Sequence, residues 1–582
     1  IKKIINHEGI EEQIKEWNEL NIVDDDFNKE SVLQRESNED TLNEKYKFLP
    51  IDTKYFKDIE LDILTSFDDL DNELDGWLIH SENYQALNTI LPKFKEKVQT
   101  IYIDPPYNTG SDGFIYKDKY QFSSWLTMLE NRLSIAKILM KDSSAIFISI
   151  GDTIKSNVRK NSTSKMQIML DQIFGEKNYI ATLVRKSGIA PRQDIKHIAN
   201  SHDYILLYSK NEDELRLDRK EADNSRFKFK DEYFEKRGYF ALNQLDRGSK
   251  QYSESLDYPM VVEKGETIEV FDGKTFKRIN SPERIEIWPN GDPNDKRWIF
   301  RWSIKKVEWG IENGFIVFRK NKNNKWKAYY KEYELVDNED NPRNRKNPYD
   351  TLILEFTNEI GSKEISNLFG KRLFEYPKPS ELIKYLLKMN TRNSDIALDF
   401  FAGSGTTAHA VMKLNKEDGG KRKFIIVEMA DYFNTIIIPR IKKLSYSFNW
   451  KDGKPQDNDG ISTFIKYYDL EQYEQTFRKC HYIPSEPFFN LDDKSIYEQY
   501  IFLKDPKLLD AMDLDYKNNK IKIRIDDIYP NIDIAETLSN LKGKWIKKIT
   551  KDFLVLKDDN NNEEEIKFDN IDFKTIKPLI WW

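Results

Sequence analysis

Two apolar segments about three hundred residues apart each run into residues that cannot continue a strand, and the elements alternating around them predict an α/β fold. Residues 98–103 are apolar enough for a strand buried on both faces, and they lead into Asp104-Pro105-Pro106-Tyr107. Residues 396–400 form a second strand, which breaks at Gly403-Ser404-Gly405 into a helix starting at Thr406. Further strands are predicted over 77–80, 145–150, 179–184, 204–208 and 424–427. Helices are predicted over 84–91 (capped by Ser81 or Asn83), 125–140, 166–174, 380–389, 406–414 and, despite Pro439, 436–444. This alternation predicts an α/β, doubly wound, mostly parallel sheet covered on both faces.

Helical periodicity fades between residues 211 and 350, where Pro and Gly turn signals crowd together. Within 296–327 lie ten Lys or Arg and two acids, interleaved with Trp298, Trp302, Trp309 and Trp326. We read an inserted, β-rich module there. With 582 residues the chain exceeds one core. Five segments are expected: a helical arm (1–48, with Ile10, Ile14 and Trp17 at helical spacing), a first core part (49–210), the insert (211–350), a second core part (351–445) and a C-terminal domain (446–582). The single cysteine, Cys480, excludes an intrachain disulfide and a thiolate zinc cluster, and the six histidines lack ligand-like spacing, so no metal is expected. No apolar run reaches membrane-span length and the first residues show no signal-peptide pattern; a cytoplasmic protein without membrane contact is expected. The net charge of −7 does not exclude nucleic acid, because a basic surface at the contact matters more than the total.

A strand feeding a glycine turn and a helix N-terminus lets backbone approach a ligand and offers it free N–H groups. Ala408 and His409 stand where a dinucleotide fingerprint would place its third glycine, and no P-loop lysine follows, so neither a dinucleotide nor a triphosphate is the natural ligand. Glu428, at the end of the next strand, is placed to accept hydrogen bonds from a ribose. An adenosine-containing ligand is one reading; a tight turn in an α/β core is the other.

Asp104-Pro105-Pro106-Tyr107 is a rigid turn in which Pro106 has no N–H and Pro105 keeps Asp104 extended. Asp104 and the Pro105 carbonyl could both accept hydrogen bonds from one exocyclic amino group, with Tyr107 stacked on the ring that carries it. The alternative is a β-turn bearing a surface aromatic.

The two motifs in this order, with a long insert between them, resemble the β-class of S-adenosylmethionine-dependent DNA amino-methyltransferases, a permutation of the class-I methyltransferase fold. Residues 78–87, Asn108-Thr109-Gly110, His202-Asp203-Tyr204-Ile205-Leu206 and Phe374-Glu375-Tyr376-Pro377-Lys378-Pro379 extend the match. Together they resemble the modification (Mod) subunit of type III restriction-modification systems, strongly over 49–210 and 350–445 and weakly beyond 446.

The resemblance implies transfer of a methyl group from S-adenosylmethionine to a flipped-out adenine N6. It implies Asp104, Pro105, Pro106 and Tyr107 as catalytic residues. It places Lys378, Pro379, Phe401, Ala402, Gly403, Ser404, Gly405, Thr406 and Thr407 against the donor, Glu428 on its ribose, and His80, Ser81 and Asn83 at the rim. Asp399 is either a donor contact or a turn-capping acid. Asn108 and the insert's Lys296, Arg297, Arg301, Lys305, Lys306, Arg319 and Lys320 are expected to contact double-stranded DNA, the alternative for the insert being a solvated β-surface over a Trp core. A homodimer and a helicase-nuclease restriction partner are expected. Other readings are a solitary methyltransferase (adenine-N6 or cytosine-N4), a recognition scaffold for a nuclease-translocase, and a methyltransferase acting on RNA or protein glutamine.

Overall fold

In a computed structural model, the two apolar segments become neighbouring strands of one nine-stranded sheet. The structure describes residues 1–36, 39–107, 121–155, 158–188, 198–248, 251–322, 324–472, 512–515, 520–523, 532–568 and 571. Asn108 lies outside the described residues. The sheet strands, in chain order, are β1 (Gly76–His80), β2 (Val98–Ile103), β3 (Met140–Ile150), β4 (Tyr179–Lys186), β5 (His202–Ser209), β6 (Leu352–Ile353), β7 (Ile396–Asp399), β8 (Lys423–Glu428) and β9 (Ile465–Asp469). Their spatial order is β6-β4-β5-β3-β2-β7-β8-β1-β9. From β3 to β9 all neighbours run parallel; β5 runs antiparallel to both β3 and β4. The acid strand enters before the glycine strand and lies beside it, which is the permuted class-I arrangement.

The helices that concern the site are α1 (Ile10–Glu19), α2 (Asn83–Phe94), α3 (Phe122–Leu139), α4 (Ser162–Phe174), α5 (Asn358–Phe369), α6 (Ser380–Asn390), α7 (Thr406–Asp418), α8 (Ile438–Tyr446) and α9 (Ile534–Lys542). Every residue of β2 is buried, as parallel strands with covered faces require. Gln99 and Thr100 are tolerated there because Asn390, at the end of α6, accepts from Gln99 Nε2 (3.2 Å), Thr100 Oγ1 (3.1 Å) and Ala145 N (2.9 Å). Pro439 sits in the first turn of α8, directly after a π-helical turn over Phe433–Ile437 that leads into the helix.

Two expectations need correction. Neither Ser81 nor Asn83 caps α2; the Glu82 carboxylate does, accepting from Tyr84 N (2.7 Å) and Gln85 N (3.2 Å). Part of the stretch read as a C-terminal domain lies in the core sheet: β9 pairs with β1 throughout, while α9 carries Glu536 to the buried Lys93 of α2, which also holds Asp71. The N-terminal arm packs on the core: Trp17 of α1 is 2% exposed and donates to Pro50 O (2.7 Å), and Lys442 of α8 binds Glu16 and Asp52.

The chain divides into two units, residues 1–218 with 350–582, and residues 219–349. The smaller unit has its own core, with Phe240, Phe300, Trp302, Phe315, Phe318 and Tyr333 buried around a five-stranded sheet. Among the described residues no helix is long and apolar enough to cross a membrane.

Candidate active site

From β2 the chain crosses through α3 to β3 on one side, and from β7 it crosses through α7 to β8 on the other. The sheet order therefore reverses between β2 and β7. In open α/β sheets the crevice at the carboxyl ends of such strands is where ligands bind. Leu398 of β7 lies level with Ile101 of β2, so Asp104 and the turn beginning at Phe400 emerge side by side.

The acid motif is pinned from several elements. Trp125 Nε1 of α3 donates to Pro106 O (2.8 Å) and Ser162 Oγ of α4 to Tyr107 O (3.1 Å). The Tyr107 hydroxyl donates to Asp104 Oδ1 (2.8 Å), and Lys378 Nζ donates to Asp104 Oδ2. Burial, and then the Asp104 charge, hold the Tyr107 phenol well above its ordinary range, so it stays a donor. The Tyr107 ring lies against Gly151, where a Cβ would meet it at 3.0 Å. Nearby, Arg185 forms a buried two-pronged pair with Asp203, both bonds 2.7 Å.

The glycine motif folds as a turn of two left-handed residues, Gly403 (φ +54°) and Gly405 (φ +76°). The positive φ strains any side chain at Gly403, and a Cβ there would lie tight against the Phe374 ring at 3.2 Å. Gly403 N donates to Glu428 Oε2 (2.8 Å), while Met429 N and Ala430 N donate to Oε1 (2.9 and 3.0 Å). Glu428 thus sits buried at the end of β8, tied to the turn. Asp399 behaves as the turn-capping acid: it accepts from Phe401 N (3.0 Å) and Thr407 Oγ1 (2.5 Å) and is 2% exposed. Burial pushes its carboxyl up to about 7 against these bonds, helped by the Asp104 and Glu428 charges.

The other expected donor contacts divide. Phe401, Ala402, Ser404, Thr406 and Thr407 are buried in or beside the turn, and Thr406 Oγ1 donates to Lys378 O (3.3 Å). Pro379 precedes α6. The side chain of Lys378, expected against the donor, instead binds Asp104. Asn83 reaches the turn, donating to Phe400 O (2.9 Å) while Arg132 of α3 donates to its Oδ1. His80 and Ser81 lie beside Glu428, His80 level with it across the strands and Ser81 N donating to its carbonyl (3.1 Å), while their side chains engage Asp469 (2.5 Å) with a stacked Phe433 (4.8 Å) and Gln472 (3.1 Å) respectively. Arg440 was not foreseen. It is a buried guanidinium of α8 that bonds the Ser404 carbonyl, and its only signal is a cation at helical spacing with Ile437, Ile441 and Leu444. Among the described residues no group of three or more His, Cys, Asp or Glu is clustered as a metal site.

In the smaller unit, the expected DNA contacts are mostly paired: Lys296 with Asp257 (2.5 Å), Arg297 with Asp295 (2.8 Å), Lys306 with Glu339 (3.0 Å) and Lys320 with Glu283 (3.5 Å). Arg301 donates to Gln244 O (3.2 Å); Lys305 and Arg319 are exposed without an ion pair among the described residues, Arg319 lying over the Phe271 ring (5.4 Å). A different, mostly basic concavity of about 320 Å³ is lined by Arg219, Arg226, Arg343, Arg345, Lys346 (paired with Glu221 at 3.4 Å) and one acid, Asp223. Glu332 neutralises part of Arg226 and Arg345, whereas Arg219 and Arg343 have no ion pair among the described residues.

A model of the DNA methylase family matches residues 98–439. The Type III restriction-modification enzyme EcoPI Mod subunit of Escherichia phage P1 is 30% identical over 392 residues, 61% of this chain and 58% of that protein. The StyLTI Mod subunit of Salmonella typhimurium is 30% identical over 404 residues, 63% of this chain and 54% of that protein. The Type II methyltransferase M.KpnI of Klebsiella pneumoniae is 28% identical over 361 residues, 59% of this chain and 77% of that protein. The chain thus spans a little over half the length of these two Mod subunits.

Proposed function

The chain belongs to the DNA methylase family, and from that premise we propose that it is a site-specific DNA adenine-N6 methyltransferase using S-adenosylmethionine. The observation that carries this reading is the meeting of Asp104 and the Gly403–Gly405 turn at the switch point between β2 and β7. The turn suits such a donor: two left-handed glycines open the backbone, the first turn of α7 offers N–H groups, and the buried Glu428 suits a diol. When bound, S-adenosylmethionine supplies an electrophilic methyl group.

The chain's own residues do the rest. A base amino group is unreachable inside the duplex, so the nucleotide must leave the stack. Asp104 and the Pro105 carbonyl accept hydrogen bonds from that amino group, drawing its lone pair out of conjugation with the ring. Tyr107 gives up its bond to Asp104 and packs on the base, backed by Gly151. Lys378 acts through Asp104, holding the carboxylate in place. Rate gain comes from positioning and from fixed charges facing the charge that develops on nitrogen. Backbone phosphates fit the cationic hollow around Arg219 and Arg343, supported by those two residues having no ion pair among the described residues.

The fuller reading is a modification subunit acting with a restriction partner, supported by the similarity to two Mod subunits. A second reading, a methyltransferase acting alone, is favoured by the match to 77% of M.KpnI. Labelled methyl transfer to duplex DNA tests the activity: N6-methyladenine supports the proposal, and N4-methylcytosine as sole product refutes the adenine assignment. Co-purification with a helicase-like subunit separates the two readings.

A further inference from the structure

Arg440 is 1% exposed and lies beneath the glycine turn. One guanidinium nitrogen donates to Ser404 O (2.9 Å), Ser404 Oγ (3.1 Å) and Thr406 Oγ1 (3.2 Å); the other donates to His409 Nδ1 (2.8 Å). Among the described residues Glu364 is the one carboxylate in ion-pair range, at 3.9 Å, and it already accepts from Ser380 N (2.9 Å) and Ser380 Oγ (2.8 Å). Arg440 Nε and His409 Nε2 are buried without hydrogen-bond partners among the described residues. Burial, then the Arg440 and Lys413 charges, hold His409 well below its ordinary range, so it is a neutral acceptor and cancels none of the charge. Burial also lowers Arg440 itself to about 10, which leaves it a cation at neutral pH.

A buried cation with so weak a counter-ion is expensive to maintain. Among the described residues no carboxylate lies closer to offset this charge, and the turn above Arg440 is the crevice face of the sheet. The first turn of α7 adds its own positive potential at the same place. At the opposite end of the turn Glu428 is negative, so the site is polarised. S-adenosylmethionine carries a carboxylate beside its ammonium at the amino-acid end and a neutral ribose diol, able to donate to a carboxylate, toward the other. We propose that Arg440 is a positioning residue whose charge, conveyed through Ser404 and Thr406, selects ligands carrying the amino-acid carboxylate and fixes that end of the donor at the glycine turn. This rests on the reading of the turn as the donor site.

The test compares affinities for S-adenosylmethionine and for its decarboxylated analogue, which keeps the nucleoside, sulfonium and amine. By calorimetry on the full chain, the wild type should prefer the carboxylated ligand by at least about tenfold. Arg440→Met should bring the two within about threefold mainly by weakening the carboxylated ligand, and Arg440→Lys should retain part of the preference. Equal loss for both ligands, or an unchanged ratio, would overturn the proposal. Should Arg440→Met not fold, Glu364→Gln removes the competing carboxylate and should raise the preference; an unchanged or lower preference would overturn it. A wild type that binds neither ligand refutes the donor-site reading itself.

Discussion

Lys378 Nζ is bonded to Asp104 Oδ2, joining the segment before α6 to the end of β2. The lysine stands in a motif read as a donor contact, yet its charge is spent on the acid. The Lys378 side chain is 12% exposed and that of Asp104 27%, so the pair is shielded enough to be directional.

Lys378→Met should therefore act on turnover. Rapid-quench methyl transfer is expected to show kcat reduced by at least about tenfold, with donor affinity changed by less than about threefold. Loss of donor affinity at unchanged kcat would return Lys378 to the donor.

Gly403→Val should do the reverse. The residue is left-handed, its Cβ would meet the Phe374 ring, and its N–H holds Glu428. Strain of about 1–3 kcal/mol is expected to shift or open the turn. Calorimetry should find donor affinity at least about tenfold lower while the acid strand keeps its fold by circular dichroism.

Asp399 gives the turn a pH dependence. Its folded carboxyl titrates at about 7 against an ordinary 3.8, so the folded state holds the proton more tightly. Its contribution is fully present below about pH 4 and is lost as pH rises through 7. Relative to Asp399→Asn, the wild type should lose on the order of 1–3 kcal/mol between pH 5 and pH 8, read from urea midpoints. A constant difference would contradict the assignment.

The core was legible because its strands are nearly all apolar. Residues 98–103 and 396–400 can only be buried, and their terminal Asp104 and Gly403 follow directly. What escaped was non-local. Three consecutive polar residues, Ser81, Glu82 and Asn83, can all cap α2; tertiary bonds to Gln472 and Phe400 engage two of them, and Glu82 caps. Residues 296–327 look strongly basic in line, but Asp257, Glu283 and Glu339 return from outside that stretch to neutralise it. The cationic hollow joins residues 219–226 to 343–347 through the ladder of Lys220–Glu221 with Lys346–Asn347, a proximity no window along the chain contains. Arg440 was hidden by an apolar neighbourhood that reads as ordinary helix.

Arg219→Ala with Arg343→Ala should weaken DNA binding similarly on specific and non-specific duplexes. The slope of log K against log salt should fall by about 2, close to 0.9 per lost phosphate contact. The same change at Lys296 and Arg297, both already paired, should alter the slope by less than about 1.

The most direct measurement is labelled methyl transfer to duplex DNA by the wild type and Asp104→Ala, with donor affinity measured alongside. The account predicts N6-methyladenine from the wild type. From the variant it predicts turnover at least about a hundredfold lower, with donor affinity within about threefold. Retained turnover in Asp104→Ala would contradict the role given to the acid at the end of β2.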